Sequence, residues 1–127
     1  MTSVEIPVSI AAALPTLTVL DITNEVAHEV DARGGSGIAY VSPNGGFSLV
    51  RVQERESGFF EDLEDLLVRL VPLEAEERAR LLSFLLGPRT EQIPFSDGRL
   101  CLGRFQRVFL IDFDEGCRDD WTLTLLG

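Results

Sequence analysis

The sequence predicts an α+β fold with largely antiparallel sheets, and three observations support this. The apolar segments with strand periodicity are mostly neighbours along the chain, and the helical segments are grouped between them. The 127 residues are about the length of one average domain. They contain no internal repeat, low-complexity tract or long Pro/Gly/Ser linker. We therefore expect a single domain over residues 1–127.

The N-terminal part predicts strands followed by a short helix. The alternating apolar residues of segment 4–10 are typical of a strand, and the β-branched segment 16–20 continues it or pairs with it. Asp21 and Thr23 are suited to cap a helix that ends at the Gly34-Gly35 pair. The inner face of this helix is expected to carry three apolar residues: Ile22, Val26 and Val30.

Segments 38–42 and 47–52 predict two further strands. They flank residues 43–46, where Asn44-Gly45 accepts the positive φ that tight turns require. We expect a hairpin here. A phosphate-cradling loop is the weaker interpretation, because neither a lysine nor a helix follows directly.

Two helices are predicted in the middle of the chain. The first covers residues 57–72, with Ser57 as its cap, Pro72 at its end and the acidic segment 61–65 near its N-terminus. Helical spacing predicts one buried stripe: Phe59, Leu63, Leu66, Leu67 and Leu70. The second helix covers residues 75–87 and ends at Gly87-Pro88.

Strands around 93–95, 99–103, 105–113 and 121–126 close the chain. The last two are expected to form a hairpin whose solvated tip holds the acidic run 112–120, which does not fit the calcium-loop pattern. Cys101 lies in an apolar segment and is expected to be buried, and acidic neighbours disfavour activation of Cys117. The two cysteines form no disulfide framework and, without a targeting segment, favour the cytoplasm.

Charge and composition exclude several classes of function. The formal net charge of −10 disfavours nucleic acid and anionic membranes as partners. The sequence contains no lysine, so Schiff-base chemistry and a P-loop are excluded. His28 is the single histidine and is expected to be an exposed polar residue. One chain therefore cannot supply a three-histidine zinc site, and we expect no metal and no cofactor.

Several segments, taken in order, resemble the YjbQ family. They are DITNEV at 21–26, the helix end Val71-Pro72, the Leu85–Gly87 segment and the C-terminal run 93–114. Within that run the family typically shows a proline, a Gly-Arg/Lys-Leu, and a Gly-Thr-Trp-Gln before an apolar strand and an acid. The matching residues here are Pro94, Gly98, Arg99, Leu100, Gly103, Gln106, Leu110 and Asp112.

The departures from the family pattern lie where its chemistry is expected. Residues 42–44 replace a His-Thr-Ser/Thr, and residues 52–54 replace an Asn-Glu-Asn/Asp. Glu61 and Arg80 align with family histidines, and a further histidine is missing because the loop 73–76 is shortened. The positions that bear the fold are kept, whereas the polar positions of the site are replaced.

The resemblance implies a sandwich of antiparallel sheets with outer helices, and a homotrimer with its sites between subunits. It also implies a link to thiamine-phosphate synthase activity. Six residues are candidates for a pocket: Ser42, Gln53, Glu56, Arg80, Arg104 and Gln106. The favoured hypothesis is a non-metal, non-catalytic protein that keeps the trimer and a small-anion pocket, with no catalytic residue. The alternatives are an enzyme whose site is rebuilt with Arg80 and Arg104, which bind phosphate bidentately, and a subunit that regulates an active paralogue.

Overall fold

The computed structural model describes residues 9–44, 46–113 and 120–127. Within these ranges the chain forms eight strands and three helices. In order they are β1 (Ser9–Leu14), β2 (Leu17–Asp21), α1 (Thr23–Arg33), β3 (Gly37–Pro43), β4 (Ser48–Glu54), α2 (Ser57–Leu70), α3 (Arg78–Leu85), β5 (Glu91–Ser96), β6 (Arg99–Leu100), β7 (Gln106–Asp112) and β8 (Trp121–Leu126).

The strands form two four-stranded antiparallel sheets. Sheet A has the order β1-β2-β7-β4, and sheet B has the order β6-β5-β3-β8. The α+β class and the antiparallel pairing predicted from the sequence are confirmed.

Two apolar clusters hold the two sheets and the helices together as layers. The first lies between the sheets, where Val50, Val108 and Leu110 of sheet A meet Val41 and Ile93 of sheet B. The second lies on the other side of sheet A, where its residues pack under the helices α2 and α3: Leu17, Val19, Leu49, Phe109 and Ile111 against Phe60, Leu67 and Leu82. Sheet A is therefore buried on both faces, and sheet B covers only one side of it.

Helix α1 closes one end of the space between the sheets. Ile22, Val26 and Val30 are all fully buried in the first cluster, as the sequence predicted. Asp21 accepts the backbone N–H of Thr23 at 3.0 Å through its Oδ1, which satisfies one amide of the first helical turn.

Both predicted hairpins are wrong, although their strands exist. β3 and β4 belong to different sheets, so they do not pair with each other as a hairpin. β7 and β8 are likewise in different sheets. The physical reason is that β4 and β7 pair with each other over seven residues, which brings apolar side chains to both faces of sheet A. Asp112, which was expected in the solvated tip, is instead buried at the end of β7. Residues 114–119, with Cys117, lie outside the described residues, as does most of segment 4–10.

The buried stripe of α2 differs from the predicted one. Phe60, Leu67 and Val71 are buried, whereas Phe59, Leu66 and Leu70 are 39%, 47% and 57% exposed. Helical spacing is compatible with a buried stripe through residues 59 and 66 or with one through residues 60 and 67, because apolar residues lie side by side at both places. Packing against Phe109 selects the inner one, with the rings of Phe60 and Phe109 5.1 Å apart in an edge-to-face arrangement.

Two smaller expectations also fail. Cys101 is exposed, because β6 ends at Leu100 and the apolar segment continues as an open loop. Glu64, one of the acidic residues assigned to the solvated start of α2, instead binds the turn between β1 and β2. Its Oε2 accepts both the N–H and the hydroxyl of Thr16 at 2.7 Å. His28 is exposed, as expected.

Candidate functional site

The six candidate pocket residues lie in three regions of a single chain. Ser42 is on β3 in sheet B, where its hydroxyl is 2.7 Å from that of Thr90. Gln53, Glu56, Arg104 and Gln106 lie around the end of β4 and the beginning of β7, which are adjacent in sheet A. Arg80 lies alone on α3.

The second region is ordered by short local contacts. Strand register places Gln106 opposite Glu54, and the Oε1 of Gln106 accepts the N–H of Gly103 at 2.7 Å. The guanidinium of Arg104 lies 5.1 Å from the ring centre of Phe105, which is itself 65% exposed. Gly103 and Gln106, the two residues kept from the family run, are thus bonded to each other across a short loop.

Arg80 lies in an open groove of about 450 Å³ at the opposite end of β4. It forms an exposed ion pair with Glu77 at 3.0 Å. The groove, called the Arg80 groove below, is lined by Gly46, Phe47, Arg80, Ser83, Phe84, Gly87 and Arg89. Arg89 is held there by the carbonyl oxygens of Ser48 and Gly46, at 2.9 and 3.2 Å.

The length of β4 separates Arg80 from Arg104 within one chain. The Arg80 groove adjoins Ser48, where β4 begins, and Arg104 lies beside Gln106, which pairs with the last residue of β4. A seven-residue strand spans about 20 Å. One small anion therefore cannot contact both guanidinium groups of the same chain, and the second cation near Arg80 is Arg89.

A cluster of polar side chains around one buried carboxylate was not predicted from the sequence. The side chain of Asp21 is 0% exposed, and its Oδ2 accepts hydrogen bonds from Arg107 at 2.9 Å and Arg55 at 3.1 Å. Its Oδ1 accepts the hydroxyl of Thr23 at 2.6 Å, and the Oγ1 of Thr23 accepts the N–H of Val108. These residues, Asp21, Thr23, Arg55 and Arg107, are called the Asp21 cluster. The sequence comparison singled out the segment DITNEV, which contains Asp21. The two arginines that bind Asp21 lie 34 and 86 positions away in sequence, so the contact could not be predicted from that segment.

Opposing effects act on the pKa of Asp21. Burial raises it, because the charged form loses hydration, while hydrogen bonds from Thr23 and Arg107 lower it. The hydrogen bonds and the Arg107 charge prevail, so the pKa lies below its usual value of 3.8. Asp21 is therefore an ionised structural anchor at neutral pH rather than a proton donor.

The outer face of sheet B lies opposite the side that packs on sheet A. The strands β3, β5 and β8 present uncharged side chains there: Ile38, Tyr40, Ser42, Gln92, Pro94, Thr122, Thr124 and Leu126. The edge strand β6 adds one charge, because Arg99 pairs with the outward Ser96. Ser42 thus lies on this flat surface and not in the Arg80 groove. Three adjacent strands without a charged side chain on their outer face are unusual on a chain with a formal net charge of −10.

In the described part of the chain, no three histidine, cysteine, aspartate or glutamate side chains come together as a group that could hold a metal ion. Among the same residues, no helix has the length and apolar character needed to cross a bilayer.

Comparison with known proteins gives one family. The model of the UPF0047 protein YjbQ-like family matches residues 12–127. A UPF0047 protein of Archaeoglobus fulgidus is 32% identical over 105 residues, which cover 76% of this chain and 81% of the relative.

Solved structures share the fold. A conserved hypothetical protein from Thermus thermophilus matches with a TM-score of 0.74 and 26% identity, over 95% of this chain and 100% of the other. An uncharacterised YjbQ/UPF0047 protein from Clostridium acetobutylicum gives a TM-score of 0.78 at 20% identity, with coverage of 95% and 100%. A hypothetical protein from Aeropyrum pernix gives 0.77 at 24% identity, with coverage of 95% and 97%.

Proposed function

The chain belongs to the YjbQ-like UPF0047 family, and from this premise we propose that it is a non-catalytic, metal-free member. In this proposal it binds a small anion and assembles as a trimer in the cytoplasm. The observation that carries the proposal is the Arg80 groove, in which two arginines and a serine hydroxyl line one open surface.

The groove has the chemistry of an anion site. The guanidinium of Arg80 can bind carboxylate or phosphate oxygens through paired N–H donors, Arg89 adds a second positive charge, and Ser83 adds a hydroxyl donor. The Ser48 and Gly46 carbonyls hold the Arg89 side chain in place, which reduces the entropy lost on binding. The exposed ion pair of Arg80 with Glu77 is weak, so an anion can displace the carboxylate.

The same lining supports binding rather than catalysis. Its residues are glycines, phenylalanines, arginines and one serine, so the lining contains no histidine, carboxylate or thiol. General acid–base catalysis needs a group whose pKa lies near the working pH. By the resemblance, Arg80 occupies the position of a family histidine, so this is the point at which such a group was replaced.

Phosphate is expected to raise the melting temperature of the protein by mass action. At about ten times its dissociation constant, a ligand adds roughly 1.4 kcal/mol, which corresponds to about 4 °C for a domain of this size. Arg80→Ala or Arg89→Ala is expected to abolish the rise, and added salt to reduce it. Differential scanning fluorimetry against matched chloride controls measures both effects.

Arg69→Ala is the matched control, because Arg69 is an exposed arginine on α2 outside the groove. It is expected to keep the phosphate-dependent rise. A rise that persists in both Arg80→Ala and Arg89→Ala, or one that is absent in the parent protein, contradicts the anion site.

Arg104→Ala tests the enzyme alternative. A thiamine-phosphate-synthase-like transferase binds two phosphorylated substrates, and a rebuilt site would use Arg104 of a neighbouring subunit beside Arg80. The separation of the two arginines within one chain favours the simpler groove with Arg89. Loss of phosphate binding in Arg104→Ala, together with turnover of a pyrimidine pyrophosphate and a thiazole phosphate, would favour the enzyme. A regulatory subunit instead predicts co-purification with an active paralogue.

Trimer formation is supported by the outer face of sheet B. The apolar residues of β7 are buried within a single chain and need no neighbouring copy. Val108 and Leu110 face one cluster, and Phe109 and Ile111 face the other. β8 differs, because Thr122, Thr124 and Leu126 lie exposed on the part of the outer face that β3, β5 and β8 form without a charged side chain. We propose that this face contacts neighbouring copies, since charged residues are depleted from the centres of such interfaces.

Light scattering coupled to gel filtration is expected to give three times the 14.0 kDa mass of one chain. Thr124→Arg places a charge opposite Tyr40 in the middle of the face and is expected to yield monomers. Glu29→Arg, at an exposed position on α1, serves as the control and should leave the mass unchanged. A parent protein with the mass of one chain at micromolar concentration rules out the trimer.

A further inference from the structure

A cavity of about 170 Å³, partly open to solvent, lies between α2 and the helix-facing side of sheet A. Most of its lining is apolar: Leu49, Phe60, Leu63, Leu86, Ile111 and Phe113. Native interiors are close-packed, with few voids larger than a water molecule. An apolar cavity of about 150 Å³ binds benzene, so this one has room for a single six-membered ring with a small substituent.

Two polar side chains share the lining with the apolar ones. The guanidinium of Arg51 donates to the carbonyl oxygens of Val50 at 3.1 Å and Pro88 at 2.7 Å, and also to that of Leu86. These bonds fix the cation beside the cavity. The Oε1 of Gln53 accepts the N–H of Glu54 at 2.9 Å, so the rest of its amide is a donor. Both polar groups therefore favour a ligand atom that accepts hydrogen bonds.

We propose that this cavity is a binding site for a small ring compound that bears a hydrogen-bond acceptor, best a carboxylate. The ring occupies the apolar part, and the acceptor faces Gln53 and Arg51. None of the residues that line the cavity lines the Arg80 groove. The site is therefore separate from the one on which the proposed function rests.

Benzoate and benzylamine are the probes, because they share a ring and carry opposite charges. In methyl-labelled protein, the signals of Leu63 and Ile111 are expected to shift saturably with benzoate. Benzylamine is expected to bind at least roughly tenfold more weakly than benzoate, because a hydrogen bond to a charged group is lost and the benzylamine cation faces Arg51. The measurement is a dissociation constant from each titration.

Three variants locate the ligand. Leu63→Phe fills part of the cavity and is expected to remove the benzoate shift of Ile111, and Leu86→Phe does the same from the α3 side. Gln53→Leu keeps the volume but removes the donor, so it should weaken benzoate roughly tenfold while toluene binding is retained. Arg80→Ala is expected to leave benzoate binding unchanged.

The outcomes separate the two sites. Benzoate binding that survives both cavity-filling variants, or a parent protein that shows no saturable shift, overturns the proposal. Loss of benzoate binding in Arg80→Ala would assign the carboxylate to the Arg80 groove, which supports the anion site and contradicts the cavity. Equal affinity for benzoate and benzylamine would refute the role given to Arg51 and Gln53.

Discussion

Replacing Asp21 with asparagine is expected to lower the free energy of unfolding by about 3 kcal/mol at neutral pH. The asparagine keeps the size of the side chain and one acceptor, but its NH₂ group replaces the Oδ2 that accepts from Arg55 and Arg107. Donors would then face donors at a position that is 0% exposed. Chemical denaturation of the two proteins, with m-values compared, measures the difference.

The loss should depend on pH in a defined direction. The pKa of Asp21 is lowered in the folded protein, so its ionised form contributes stability above the pKa of the unfolded chain. That contribution is lost as the pH falls through the lower, folded pKa. The difference between parent and Asp21→Asn is therefore expected to be constant near neutrality and to shrink below about pH 3.8, the usual pKa of the group in the unfolded chain.

The two arginines provide graded controls. Arg107 is 34% exposed and its Nε binds Asp21 directly, whereas Arg55 is 46% exposed and reaches Asp21 from the end of β4. Arg107→Ala should cost more stability than Arg55→Ala. The Arg107 guanidinium is less exposed, so water screens its attraction to the carboxylate less. An Asp21→Asn variant as stable as the parent at pH 7 would show that the cluster contributes nothing to folding.

The strands were predictable because their signal is local. The β-branched residues of segment 16–20 favour a strand by their own type, and the strand around 121–126 was likewise predicted from its own residues. The pairing of strands is not local. Asn44-Gly45 suits a hairpin, yet β3 and β4 separate because β4 and β7 cover each other along their whole length. Turn chemistry describes four residues, whereas sheet order depends on contacts across the whole chain.

The candidate site shows the same division. Arg80 was singled out as a cation by its residue type and alignment, and the structure supplies its neighbour, Arg89, from beyond the end of α3. Arg104 was paired with it only because both replace family residues. The Asp21 cluster joins residues from β2, α1, β7 and the segment after β4, and no spacing rule predicts such a contact. The sequence indicated which side chains could bind an anion, but it could not indicate which of them lie close together.

Leu67→Ala and Leu66→Ala form a matched pair that tests the face of α2 chosen by the fold. Leu67 is 2% exposed and packs in the cluster under sheet A, whereas its neighbour Leu66 is 47% exposed. Removing a buried leucine loses transfer free energy and leaves a cavity, at a cost of about 2–5 kcal/mol. Leu66→Ala is expected to cost less than about 1 kcal/mol, because its side chain remains in contact with water in the folded chain.

Helical spacing alone assigned both leucines to one buried stripe, so it predicts similar losses for the two variants. The packing of Phe60 against Phe109 rotates the helix so that only one of them faces inward. Urea denaturation of both variants at equal protein concentration distinguishes these cases. Equal destabilisation would contradict the helix orientation. A loss in Leu66→Ala that grows as the protein is diluted would instead place that leucine between subunits, because dissociation then accompanies unfolding.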